Sequence, residues 1–275
     1  MNTDPLSDTT APRYAYESDE EEDEHNPLSQ SSKGPAELDI KIIGLPEGSS
    51  SGGTLVVASG DAGKFWAAGA NLGEQKGAAY VNSVSIGMLF QPLWTKATVV
   101  VSEATTLLPI WAMHPYSEAV FNFLKPATVV LLDSYAVPSY VTDRPLSYDD
   151  SPVRYLLTHG STSPNPKYAP FEPPNLLQTT SAAFASIISR TPETSATILL
   201  LPSPNIPRPR KSELDSSDHP SSYDSDATWS PATLQDVHST LFSDDPAQQW
   251  VDKGGRKTVA AARRTGDVGE GGMYM

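Results

Sequence analysis

Gly60-Asp61-Ala62-Gly63-Lys64 follows an apolar run and sets a lysine directly after a glycine, as a phosphate-binding loop does. Two positions break that pattern. The first glycine of such a loop falls on Ala58, and the Ser or Thr that should follow the lysine to reach magnesium is Phe65. The stretch reads as a strand-to-helix turn. Ser59, Ser102, Ser134 and Ser203 close four apolar runs, and the ends of parallel strands are where open α/β sheets bind ligands. Serine is also a turn and capping residue, and no Gly-x-Ser-x-Gly elbow presents any of the four as a nucleophile. His25, His114, His159, His219 and His238 form neither a His-x-x-x-His nor a His-Glu-x-x-His pair, so zinc ligation is not indicated. Asp149-Asp150 is the tidiest carboxylate pair, but adjacent acids in a proline-rich stretch rarely make a preorganised acid/base site. With no cysteine, thiolate catalysis, thiolate metal sites and disulfides are all excluded. The expectation is a binding protein without cofactor or metal, not an enzyme.

The elements that must position these residues are legible in the same runs. Thr54–Ser59, Ala97–Ser102, Ala127–Ser134 and Ala196–Ser203 are short, β-branched and apolar at consecutive positions. Strands of that kind are buried on both faces, usually under helices. Leu38-Asp39-Ile40-Lys41-Ile42 alternates as a half-exposed edge strand does, and Thr106–Met113 is a fifth strand candidate pushed to an edge by Pro109. Helices are expected over Asp61–Leu72 with Asp61 as cap, over Tyr116–Leu124, over Leu176–Arg190 capped by Asn175, and from Ser230-Pro231 through Phe242. The fold class is therefore α/β: a three-layer αβα sandwich around a mostly parallel sheet.

Composition adds the remainder. Pro 25, Gly 18 and only 38% hydrophobic residues in 275 imply one domain with long irregular additions. Residues 1–36 read as a disordered acidic leader. The first 26 residues carry nine acids against one base, and Ser18 stands directly before Asp19–Glu24, a context suited to acid-directed phosphorylation. The folded domain spans 37–250, interrupted by a polar insertion at 204–228, and 251–275 form a flexible tail. A net charge of -14 argues against nucleic-acid binding, and no apolar run approaches the ~20 residues that cross a bilayer. No signal-peptide core is present at the amino terminus, so a cytoplasmic and also nuclear location is expected.

The tail ends Gly269-Glu270-Gly271-Gly272-Met273-Tyr274-Met275. A mobile glycine stem would offer an apolar side chain, a phenol and a carboxylate to a pocket on another protein. About 20 flexible residues give a root-mean-square reach of roughly 25 Å. With the acidic Glu20–Glu24, Leu55-Val56-Val57-Ala58 and its Gly60-Asp61-Ala62 turn, Phe171–Leu176, Ser181–Phe184 and Ala196–Leu201, this end resembles the proteasome assembly chaperone 1 family. The resemblance covers about two thirds of the chain.

It implies a heterodimer with proteasome assembly chaperone 2 seated on the α subunits of the 20S proteasome. It also implies that Met273, Tyr274 and Met275 enter a pocket between α subunits. Tyr274 would supply the ring and hydroxyl, Met273 an apolar contact, and the Met275 carboxylate a charge-assisted bond to a lysine. Binding would promote α-ring assembly and block off-pathway association. The alternative is a nucleoside-phosphorylase-like αβα enzyme or ligand-binding protein, with the strand-end serines and the Gly60 turn around a phosphate.

Overall fold

The computed structural model describes residues 38–144, 146–158, 164–207, 209–210, 212–214, 229–242 and 250–251. Contacts divide the chain after Leu38, and the described residues from Asp39 onward are the subject below. They form β1 (Ile40–Ile43), β2 (Thr54–Ser59), α1 (Gly60–Gly69), β3 (Gln75–Val81), β4 (Val84–Phe90), β5 (Thr98–Ser102), α2 (Ile110–Leu124), β6 (Thr128–Ala136), β7 (Arg154–Leu157), β8 (Ala169–Pro170), α3 (Thr180–Ser189), β9 (Ser195–Ser203) and α4 (Pro231–Leu241).

The nine strands make one sheet in the order β1-β3-β4-β5-β2-β6-β9-β7-β8. Its centre, β5-β2-β6-β9, is parallel throughout, with Val56 opposite Val99 on one side and Val130 on the other. These are the four runs expected from their apolar, β-branched chemistry. Antiparallel strands flank them: β1, β3 and β4 beyond β5, and β7 beyond β9. Strand side chains alternate between faces. Val56, Ala58, Val99, Val101, Leu132, Leu199 and Leu201 share a core with Trp66 of α1 and Leu234, Val237 and Leu241 of α4. Leu55, Val57, Val100, Leu131 and Leu200, on alternate positions, are equally buried. They face α2 and α3, which pack on each other across the opposite side. The three-layer αβα sandwich follows.

Four local expectations change. Thr106–Met113 is no strand: Pro109 stands as the N-cap of α2, and the helix runs on through Pro115 to Leu124. Proline is tolerated at Pro109 because the first amides of a helix lack partners anyway, whereas Pro115, inside the helix, cannot donate to the Trp111 carbonyl. Asn175 does not cap α3. Its amide bridges the backbone of Val141 and Glu172, and Thr179 holds the cap position. Asp61 falls inside the first turn of α1, whose N-cap is Ser59. The β3–β4 hairpin went unexpected; Asn82 and Ser83, at φ 47° and 68°, make its two-residue turn. The start of α4 is as expected, with the Ser230 hydroxyl accepting the Thr233 amide at 3.0 Å.

Candidate functional site: the carboxyl edge of the parallel strands

β2 passes into α1 with no intervening loop, which the left-handed Gly60 (φ +59°) permits. A Cβ on Gly63 would collide with the Ala58 backbone, so this second glycine lets α1 lie close on β2. Lys64 is exposed on the outer side of the helix. The Gly60–Lys64 stretch is thus a packing turn.

The same edge carries a buried polar layer on the α2/α3 side. Ser59 pairs in register with Ser102, and Asp133 follows the last β2–β6 pair, Ala58 with Leu132. Ser102 Oγ lies 3.1 Å from the Tyr116 hydroxyl, to which it donates. Thr179 Oγ1 donates to Asp133 Oδ2 at 2.6 Å, and the Ser134 amide donates to Oδ1 at 2.8 Å. Ser117 Oγ reaches the Thr180 carbonyl at 3.5 Å, joining α2 to α3. Ser59 Oγ and Thr180 Oγ1 are buried with no partner among the described residues. Glu103, directly after β5, is buried to its carboxylate, which accepts the Leu108 amide at 2.7 Å and Arg210 Nη1.

Burial raises the Asp133 carboxyl above its ordinary value. The Thr179 hydroxyl and the Ser134 amide oppose that shift, and the nearby Glu103 charge adds to it. Burial likewise pushes the Tyr116 phenol up, so it stays neutral while accepting from Ser102. This layer does not assemble the constellation of a hydrolase. Ser102 donates to a neutral phenol rather than to a base, and a serine without a base is a weak nucleophile. His114 is exposed on α2. His238 is buried beyond the other face, where its Nδ1 accepts the Trp66 indole N–H at 3.2 Å. Two carboxylates in the layer also oppose a phosphate. Among the described residues no group of three His, Cys, Asp or Glu side chains is placed to hold a metal.

A cleft of about 600 Å³ lies apart from these hydroxyls. It is lined by Tyr148, Asp149, Pro152, Lys167, Tyr168 and Trp229 among others, and its only strand-end residue is Pro202. Asp149 and Asp150 are both exposed, and Asp150 is engaged by the Ser147 hydroxyl at 2.8 Å. They do not act as a pair.

The α1/α4 face is aromatic instead. Trp66, Trp94, His238 and Phe242 stack in one group, with Trp94 and Phe242 centroids 4.7 Å apart. Trp250 is fastened against this face. Its indole N–H donates to the Trp66 carbonyl at 2.8 Å, its amide to Gln235 Oε1 at 2.7 Å, and the Val251 amide to the Gly69 carbonyl at 3.1 Å. Trp250 and Val251 are thereby rooted on α1 and α4. The spacing of His238 and Phe242, four residues apart on the apolar face of α4, was the available signal for this group. Ser18, His25, His159, His219, Lys253, Arg263, Arg264, Met273, Tyr274 and Met275 lie outside the described residues. So does the 215–228 part of the expected insertion. Exposed apolar side chains gather where α2 begins: Leu107, Ile110 and Trp111. No described helix is long and apolar enough to cross a membrane.

Comparison with known proteins gives limited likeness. No family model matches the chain, and no curated protein matches it. Among solved structures, Pyrococcus furiosus PbaA, described as an archaeal homolog of proteasome-assembly chaperone, is 10% identical, with 74% of this chain and 81% of that chain covered at TM-score 0.45. Pyrococcus furiosus PbaB, described as an archaeal proteasome activator, is 12% identical, covering 61% and 80% at TM-score 0.42. A protein of unknown function from Corynebacterium glutamicum is 12% identical, covering 77% and 83% at TM-score 0.43. At these scores the assignment of function rests on the residues of this chain.

Proposed function

We propose that this chain is a subunit of a proteasome assembly chaperone. It would pair with proteasome assembly chaperone 2 and bind the α-ring of the 20S proteasome through Met273, Tyr274 and Met275. The observation that carries the reading is the tripeptide itself on its Gly269–Gly272 stem. An aromatic anchor and an apolar neighbour are the residue types that concentrate binding energy in a pocket, and a carboxylate adds a charge-assisted bond. Trp250 supports the reading, because a tethered peptide gains effective concentration when its root is fixed. Docked in this way, the chaperone would promote α-ring assembly and deny the same surface to off-pathway partners.

Peptide competition tests the assignment of roles. A peptide ending Gly-Gly-Met-Tyr-Met with a free carboxylate should displace the full chain from α-rings. The carboxyl-amidated peptide should need about tenfold more, the factor of one charge-assisted hydrogen bond. Equal competition by both peptides would remove the carboxylate from the recognition, and no competition by either would count against the pocket.

A further inference from the structure

Arg210 and Ser212 are each tied to the start of α2. Arg210 donates through Nη1 to the buried Glu103 carboxylate, 107 residues away, and to the Leu108 carbonyl at 2.9 Å. Its Nη2 and Nε meet no acceptor among the described residues. Two residues on, the Ser212 carbonyl accepts the Trp111 indole N–H at 2.7 Å. Ser212 itself is exposed, and its hydroxyl has no partner among the described residues. An accessible hydroxyl is therefore held within two residues of a guanidinium that uses one nitrogen only. In the sequence, Glu213 and Asp215 follow this serine at the first and third positions, the acidic pattern that acid-directed kinases read.

We propose that Ser212 is a phosphorylation site, and that its phosphate fastens Ser212 and Arg210 at the start of α2 by occupying the unused edge of Arg210. The donor is magnesium-bound ATP. A new bond forms from Ser212 Oγ to the γ-phosphorus as the bond to the β-phosphate bridging oxygen breaks. ADP leaves, and the hydroxyl proton passes to the kinase base and then to water. Arg210 does not exchange one anion for the other. Withdrawing it would strand a buried carboxylate, whereas an exposed phosphate is already hydrated. The planar fork can serve both acceptors on separate edges, Glu103 on one side and phosphate on the other. The consequence is a firmer cover beside the exposed Leu107, Ile110 and Trp111.

The test uses the purified full chain, magnesium-ATP and an acid-directed serine kinase, with phosphate located by peptide mass spectrometry. Phosphate should appear at Ser212. Amide hydrogen exchange across 104–113 should then slow about tenfold, the factor of one added charge-assisted bond. Ser212→Ala leaves the packing untouched. Phosphorylated at its other serines, it should show no slowing. Arg210→Lys should still accept phosphate but lose the slowing, because an ammonium cannot span two acceptors as a fork does. Lack of phosphate at Ser212 would overturn the proposal. So would unchanged or faster exchange after phosphorylation, slowing in the Ser212→Ala chain, or slowing that survives Arg210→Lys.

Discussion

The two faces of the central sheet are built from different chemistry at the same strands. Under α1 and α4, alternate residues of β2, β5, β6 and β9 meet Trp66, Leu234, Val237 and Leu241, and the aromatic group continues to Trp250. Under α2 and α3 the apolar positions give way, at the carboxyl edge, to Ser59, Ser102, Asp133 and Tyr116. One face is closed by ring packing that extends to Trp250. The other ends in a polar layer whose exit is held by Arg210 on Glu103. The difference teaches that a sheet edge where ligands commonly bind can be filled by its own side chains. Buried hydroxyls alone are therefore weak evidence of chemistry.

Substitutions on the two faces should separate accordingly. The largest effect is expected at Trp66→Ala, which deletes a fully buried ring from the aromatic face and leaves His238 Nδ1 without its donor. Chemical denaturation should show a loss of about 3–5 kcal/mol. A loss below about 1 kcal/mol would mean that the ring group does not organise that face.

On the polar face, the raised Asp133 carboxyl gives an effect that depends on pH. The folded chain keeps a proton that the unfolded chain, with an ordinary carboxyl, releases first. Stability from this group is thus full below the ordinary aspartate range and falls as pH rises through it toward the raised value. Asp133→Asn removes the titration while Oδ1 can still accept a hydrogen bond. Melting temperature measured from about pH 4 to pH 7 should fall less steeply in the variant. Identical slopes would mean that Asp133 ionises as freely in the fold as outside it.

The smallest effect is expected at Ser59→Ala. Its hydroxyl is buried without a described partner, so removing it forfeits no protein hydrogen bond and relieves a desolvated group. Stability should be unchanged or higher by up to about 1 kcal/mol. A clear destabilisation would reveal a partner for that hydroxyl and make the polar edge more than filling.

Much of this contrast was readable in the sequence. The four parallel strands announce themselves because two-sided burial demands unbroken apolar runs, and α4 does so through Ser230-Pro231 and its apolar spacing. The β3–β4 hairpin was hidden because its strands lack the unbroken β-branched runs of the centre and its Asn82-Ser83 turn has no glycine to mark it. The first turn of α2 was misread because Pro109, read as pushing a strand to an edge, is instead the N-cap of the helix. The Glu103–Arg210 pair could not have been found by spacing, since 107 residues separate its members and only the closed sheet brings them together. The tripeptide at 273–275 lies outside the described residues, and its reading rests on residue types and a glycine stem alone.

Met273, Tyr274 and Met275, with Trp250 held on α1 and α4, are proposed to carry α-ring recognition. The most direct measurement is the affinity of the heterodimer for 20S α-rings, with the full chain and with residues 273–275 deleted. Deletion should cost about 30-fold or more, the size of an interface hot spot, with melting temperature and pairing with the proposed partner chaperone unchanged. Equal affinity of the two forms would contradict it.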